Sequence, residues 1–181
     1  MSNTAQKIIE GCKNNDANAQ MQFYDMYCKP VYNCCLRILQ KTTEAEDAMQ
    51  ESFLKAFGKI DTIGDAPSEA WLRRIAINTS VDVLKKKKKI KFTEPNAGLQ
   101  IAEDEPYDEE ETDRKVNRVK QAIKLLPDGQ RMILTLHLID GFDYEEISKI
   151  LNIKQGTARA QFTRARQKLA ESLKYKIYAT G

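Results

Sequence analysis

Residues 143–151 read DYEEISKIL, residues 152–155 read NIKQ, and residues 156–173 read GTARAQFTRARQKLAESL. A short amphipathic segment, a tight connection and a longer basic segment, in that order, are the layout of a helix-turn-helix. The second helix of that motif enters the major groove of DNA. Helical periodicity supports the reading. Ala158, Phe162, Ala165 and Leu169 share one face and are expected to be buried. The opposite face then presents Gly156, Ala160, Thr163, Arg164 and Gln167, with Arg159 on its flank. Between positions 154 and 174 six basic residues stand against one acid, Glu171, a net +5 that suits a phosphate-facing surface. A solvated basic helix face is the ordinary alternative, and the short helix and turn ahead of it favour DNA. Base discrimination would fall to Arg159, Thr163 and Arg164. Lys154, Gln155 and Thr157 lie at the N-terminal end of the same helix, where backbone N–H groups can hold a phosphate.

Helical spacing continues upstream. Residues 114–126 are amphipathic and stop at Pro127, residues 128–139 form a further helix before Gly141, and Asp143 with Glu146 makes a capping pair ahead of 144–151. In the first half, Asp16 can cap a helix to about Gln40 with apolar positions Met21, Tyr24, Cys28, Val31, Cys35, Ile38 and Leu39. Thr43 and Glu46 spell T-x-x-E, a capping-box pattern, before a helix to about Phe57. Residues 58–67 read as a loop, and Ser68 after Pro67 caps a third long helix. Gly and Pro are scarce and no strand pattern competes. The expected fold is all-α, with two small helical domains at 1–90 and 114–181, the second a helix-turn-helix domain. A flexible acidic linker at 91–113 joins them.

Charge is distributed rather than accumulated. The 181 residues carry a formal net charge of only +3, but residues 85–91 read KKKKKIK and residues 103–111 read EDEPYDEEE. The cysteines, Cys12, Cys28, Cys34 and Cys35, lie in the first fifth of the chain. No stretch of signal-peptide character precedes them, so reduced thiols in a cytoplasmic protein are expected. Cys34 and Cys35 are adjacent and the single histidine, His137, is far away, which gives no metal-ligand spacing. No apolar run approaches membrane-span length, so no membrane insertion is expected. No Ser/His/Asp set and no phosphate-cradling glycine loop is present, so neither an enzyme nor a cofactor is expected.

Three segments in order then carry a family resemblance: AEDAMQESFLKAF at 45–57, WLRRIAINTSVDVLKKKK at 71–88, and LPDGQRMILTLHLIDGFDYEEISKILNIKQGTARAQFTRARQKL at 126–169. Together they resemble bacterial extracytoplasmic-function (ECF) sigma factors, the two-domain members of the sigma-70 family. The resemblance implies a transcription initiation factor that binds core RNA polymerase and promoter DNA. Its N-terminal unit would recognise the downstream (−10) element and help to open the duplex, and its C-terminal unit would recognise the upstream (−35) element. Asp47, Gln50, Glu51 and Leu54 match the positions that dock on polymerase, although an acidic helix face is also commonly just solvated. An anti-sigma protein, which can hold such factors inactive, is a further candidate partner.

In the segment 71–88, Leu72, Ile75, Ala76, Thr79 and Val83 form one apolar side and Ile77, Val81 and Leu84 a second. Arg74, Asn78, Asp82 and Lys85 make a polar stripe between them. By resemblance, Asn78 and the loop residues Asp65 to Ser68 would hold a base flipped from the melted strand. Trp71 reads better as core than as a stacking platform. Arg74, Lys85 and Lys86 would contact the downstream DNA. Read alone, the lysine run can be a solvated helix end, a localisation-like tract or a membrane-surface patch, and next to a strand-melting helix it reads as a phosphate contact. The acidic linker is either a path through polymerase or a plain spacer. One departure from the family stands out: Ala160 and Gln161 follow Arg159 where the pattern commonly has Ser and Arg. A methyl at 160 can still meet thymine, or the element is read more through DNA shape. Two other functions share parts of this pattern. An operator-binding regulator needs only the C-terminal helix pair, and an interaction module could use the basic helix on an acidic protein.

Overall fold

The computed structural model describes residues 3–63, 68–87 and 111–178, with side chains over 4–63, 68–87 and 116–173. Among these residues every regular element is helical. The chain divides into two compact units, Met1–Lys87 and Lys88–Gly181.

The first unit begins with a helix absent from the sequence-based expectation, α1 (Asn3–Lys13). Its apolar stripe is narrow, and Ile8, Ile9 and Cys12 bury it. A turn with Asn15 in the left-handed region (φ 56°) leads to α2 (Ala17–Leu39). Asp16 caps α2 as expected, its carboxylate accepting from the Asn18 N–H at 2.8 Å and the Ala19 N–H at 3.4 Å. The two helices approach so closely that a methyl placed on Gly11 would collide with the Ala19 Cβ. Only a residue without a side chain fits that crossing. α2 continues through Pro30 although proline removes one rung of its hydrogen-bond ladder. Burial on both sides of that point, at Phe23, Val31, Cys34, Cys35, Ile38 and Leu39, offsets the loss. Each large apolar side chain so buried is worth about 1.5–3 kcal/mol. Met21, expected in the core, is 61% exposed, and Phe23 takes the inward position.

α3 (Thr42–Phe57) starts two residues earlier than a cap at Thr43 implies, with Lys41 in the capping position and no side-chain cap. The Thr43–Glu46 capping box therefore does not form. Lys41 is instead 3.4 Å from Glu44 in the first turn. Phe23 meets Tyr27, Phe53 and Phe57 edge-on, at centroid distances of 4.9, 6.4 and 6.0 Å, and locks α2 to α3. A 3-10 turn at Ile60–Ile63 buries both isoleucines inside the expected loop. α4 (Ser68–Lys86) packs on α2 and α3 and buries Leu72, Ala76, Ile77, Thr79, Val81 and Leu84. The lysine run beyond Lys87 lies outside the described residues.

The second unit opens with α5 (Glu111–Lys124), so the last three residues of the expected linker, 111–113, are helical. The rest of that stretch lies outside the described residues. α6 (Asp128–Leu138) is buried continuously from Gly129 to Leu136 and forms the centre of the unit. Buried Arg131 ties the corner before it, donating to the Leu126 carbonyl at 3.0 Å and pairing with Asp128. Its charge thereby satisfies carbonyls that the end of α5 leaves open. α7 (Tyr144–Leu151) and α8 (Gln155–Tyr178) complete the helix-turn-helix. The Asp143–Glu146 capping box forms in full. Asn152 ends α7 in the left-handed region (φ 55°), and the Ile153 N–H donates to the Ser148 carbonyl at 3.0 Å.

Candidate nucleic-acid and polymerase interfaces

On α8 the alternation of faces is as the periodicity predicts. Ala158 and Ala165 are fully buried, Phe162 is buried, and Leu169 packs half-buried on the core of Leu126, Leu134 and Ala165. Lys154, Gln155, Arg159, Ala160, Thr163 and Arg164 are exposed together on the other side, with Thr157 half-buried at the first turn. The Thr163 hydroxyl donates to the Arg159 carbonyl at 3.1 Å. Gln161 is 5% exposed, so that departure from the family pattern sits in the core and leaves Ala160 as the one on the exposed face.

Beneath this face lies an aromatic cluster that sequence reading missed. His137 stacks on Tyr144 at 4.5 Å and 22°, Phe162 meets both rings edge-on, and the Arg159 guanidinium lies 5.6 Å over the Tyr144 ring. The His137 Nδ1 is 2.8 Å from the Phe142 carbonyl, an acceptor only, so Nδ1 carries the proton.

In the first unit, Arg74, Asn78, Asp82, Lys85 and Lys86 are exposed along α4, and both expected apolar sides are turned into the bundle. Trp71 is half-buried. Ser68 is buried, its hydroxyl 2.7 Å from the Tyr27 hydroxyl, so it is engaged within the bundle. Asp65 lies outside the described residues.

On α3, Asp47, Gln50, Glu51 and Leu54 are exposed at helical spacing on one face, and Leu54 is 73% exposed. A single exposed leucine is ordinary on a protein surface, so it is the placement of Leu54 on one face with Asp47, Gln50 and Glu51, and not its exposure, that makes the face a candidate interface. Lys55, also missed, joins this face to α4: its ammonium is 2.8 Å from the Glu51 carboxylate and donates to the Thr79 hydroxyl at 3.2 Å.

All four cysteines are free thiols, and Cys12, Cys34 and Cys35 are buried. Burial pushes the Cys12 and Cys35 thiols above their ordinary range, away from the reactive thiolate. Among the described residues no cluster of His, Cys, Asp and Glu could hold a metal.

The chain matches the family models for sigma-70 region 2 over residues 23–90 and sigma-70 region 4 over residues 116–169. It is 34% identical to the ECF RNA polymerase sigma factor SigW of Bacillus subtilis, over 93% of this chain and 96% of that protein. The chain belongs to the ECF sigma factors of the sigma-70 family. A further relative of this sigma factor is the ECF RNA polymerase sigma-E factor of Escherichia coli, 28% identical over 91% of both chains. The fold is similar to that of the sigma factor RpoE of Bartonella quintana, solved with the anti-sigma factor NepR, at TM-score 0.55, 23% identity and coverage of 85% and 96%. It is also similar to CnrH, solved with the cytosolic domain of CnrY, at TM-score 0.54, 20% identity and coverage of 93% and 96%.

This sigma factor therefore acts in transcription initiation, with core RNA polymerase and promoter DNA as its partners. The operator-regulator and interaction-module readings fall away, because both sigma regions are present in order along one chain. No helix among the described residues is long and apolar enough to cross a membrane.

Proposed function

We propose that the two units divide the promoter between them. The second unit reads the upstream element with the exposed face of α8. Arg159, Thr163 and Arg164 supply base contacts, Ala160 meets a thymine methyl, and Lys154, Gln155 and Thr157 hold a phosphate at the helix N-terminus. The first unit docks on core polymerase through Asp47, Gln50, Glu51 and Leu54. It captures the downstream element along the α4 stripe of Arg74, Asn78, Lys85 and Lys86, with Asp65 contributing from the sequence ahead of α4, whereas Ser68, buried against the Tyr27 hydroxyl, holds the start of α4 and not the DNA. Extruding a base costs a few kcal/mol, and edge hydrogen bonds to Asn78 offset it in the open strand. The observation that carries this reading is the pairing on α8 of an inward apolar face, Ala158, Phe162 and Ala165, with an exposed basic one.

The protein works as a binding subunit and not as an enzyme, in the cytoplasm where polymerase and promoter are. An anti-sigma protein is a fitting regulator, since two structural neighbours were solved with partners, one of them named an anti-sigma factor. The test is a run-off assay with core polymerase and a promoter library. The full chain should direct transcripts from a defined set of promoters. Asn78→Ala should bind those promoters as duplex and open them poorly. Absence of polymerase binding or of promoter-specific transcripts overturns the proposal.

A further inference from the structure

We propose that Tyr144 is a positioning residue for Arg159, so that upstream-element discrimination depends on a ring in the helix before the recognition helix. The inference rests on the reading of α8 as the upstream reader. Tyr144 is the first residue of α7, and the capping box fixes it there. The Asp143 carboxylate accepts from the Glu146 N–H at 2.8 Å, and the Glu146 carboxylate accepts from the Asp143 N–H at 3.2 Å. The ring is then held by His137, stacked at 4.5 Å, and by Phe162, edge-on at 5.8 Å. His137 is itself oriented by its bond to the Phe142 carbonyl. This half-buried, doubly braced ring lies under the Arg159 guanidinium at 5.6 Å.

An exposed arginine otherwise samples many rotamers, and ordering it on DNA costs free energy at the moment of binding. A guanidinium resting on an aromatic face is partly ordered beforehand. Reading a guanine edge needs the planar fork in one orientation, so a fixed ring beneath it bears on specificity as well as affinity. Phe162 lies three residues after Arg159 on α8, which couples the ring cluster to the same stretch of helix.

Holoenzyme assembled from the full chain and core polymerase is tested on a promoter duplex that the wild-type holoenzyme selects from a randomised library. Tyr144→Leu should weaken binding about two- to fivefold, and Tyr144→Phe, which keeps the ring, should retain wild-type affinity. In an Arg159→Ala background, Tyr144→Leu should cost nothing further. An equal loss in both backgrounds makes the ring merely structural and overturns the proposal. So does a Tyr144→Phe variant as weak as Tyr144→Leu. The wild-type protein alone supplies a second reading, needed if Tyr144→Leu does not fold. Ring current should move the Arg159 δ-protons upfield in its NMR spectrum, and random-coil positions overturn the contact. If Arg159→Ala leaves promoter affinity unchanged while that upfield shift is present, the DNA-facing role of Arg159 has failed and the proposal with it. If Arg159→Ala weakens binding but the two substitutions are additive, only the positioning role has failed.

Discussion

Lys87 places its ammonium 2.8 Å from the carboxylate of Glu44, so the third residue of the lysine run is tied to the first turn of α3. The Glu44 side chain is 15% exposed, and the Lys41 ammonium lies 3.4 Å from the same carboxylate oxygen. The Lys87 hydrogen bond, followed by the weaker pull of Lys41, holds the Glu44 carboxyl below its ordinary range. The native state therefore binds fewer protons than the unfolded chain through that window. Its contribution is complete above the unfolded carboxylate pKa and is lost as pH falls through the depressed native value. Glu44→Gln should cost about 1 kcal/mol near neutral pH, since Lys87 is partly solvated and the pair is screened. Urea unfolding across the acid range should show wild type and variant converging as the carboxyl protonates.

The α1–α2 crossing yields a prediction of opposite sign from helix propensity. Gly to Ala inside a helix ordinarily gains up to about 1 kcal/mol. At Gly11 the added methyl meets the Ala19 Cβ, and overpacking costs about 1–3 kcal/mol. Gly11→Ala should lower the urea midpoint, and the double variant Gly11→Ala/Ala19→Gly should recover most of the loss.

Leu54 separates function from stability. At 73% exposure it has little to lose on truncation, so Leu54→Ala should change unfolding stability by less than about 0.5 kcal/mol. If it is a central contact on core polymerase, the same change should weaken that binding about tenfold, measured by titration of labelled chain with core enzyme.

Much of this fold is legible in the sequence because it is signalled locally. Asp16 and Asp143 cap the helices that follow them, and the 3.6-residue periodicity of α4 and α8 separates inner from outer faces. α1 is different: three buried residues in a polar stretch become a helix face only because α2 is there to cover them, and Gly11 and Ala19 permit the approach. The choice of Phe23 over Met21 for the core, and of Lys41 over Thr43 for the cap of α3, is likewise decided by neighbours. The exposed faces of α3, α4 and α8 follow from spacing. The links among residues far apart in the chain do not. The distance from Lys55 to Thr79, from Glu44 to Lys87 or from Tyr144 to Arg159 is set by turns and packing that no local pattern encodes.

The division of the promoter between the two units is tested most directly at Arg164. Footprinting of holoenzyme on a selected promoter should show protection of both elements with the wild-type chain. Arg164→Ala should lose the upstream protection, with a penalty of about 1–3 kcal/mol, and bind core polymerase as before. An Arg164→Ala footprint indistinguishable from wild type would contradict the assignment of the exposed α8 face to the upstream element.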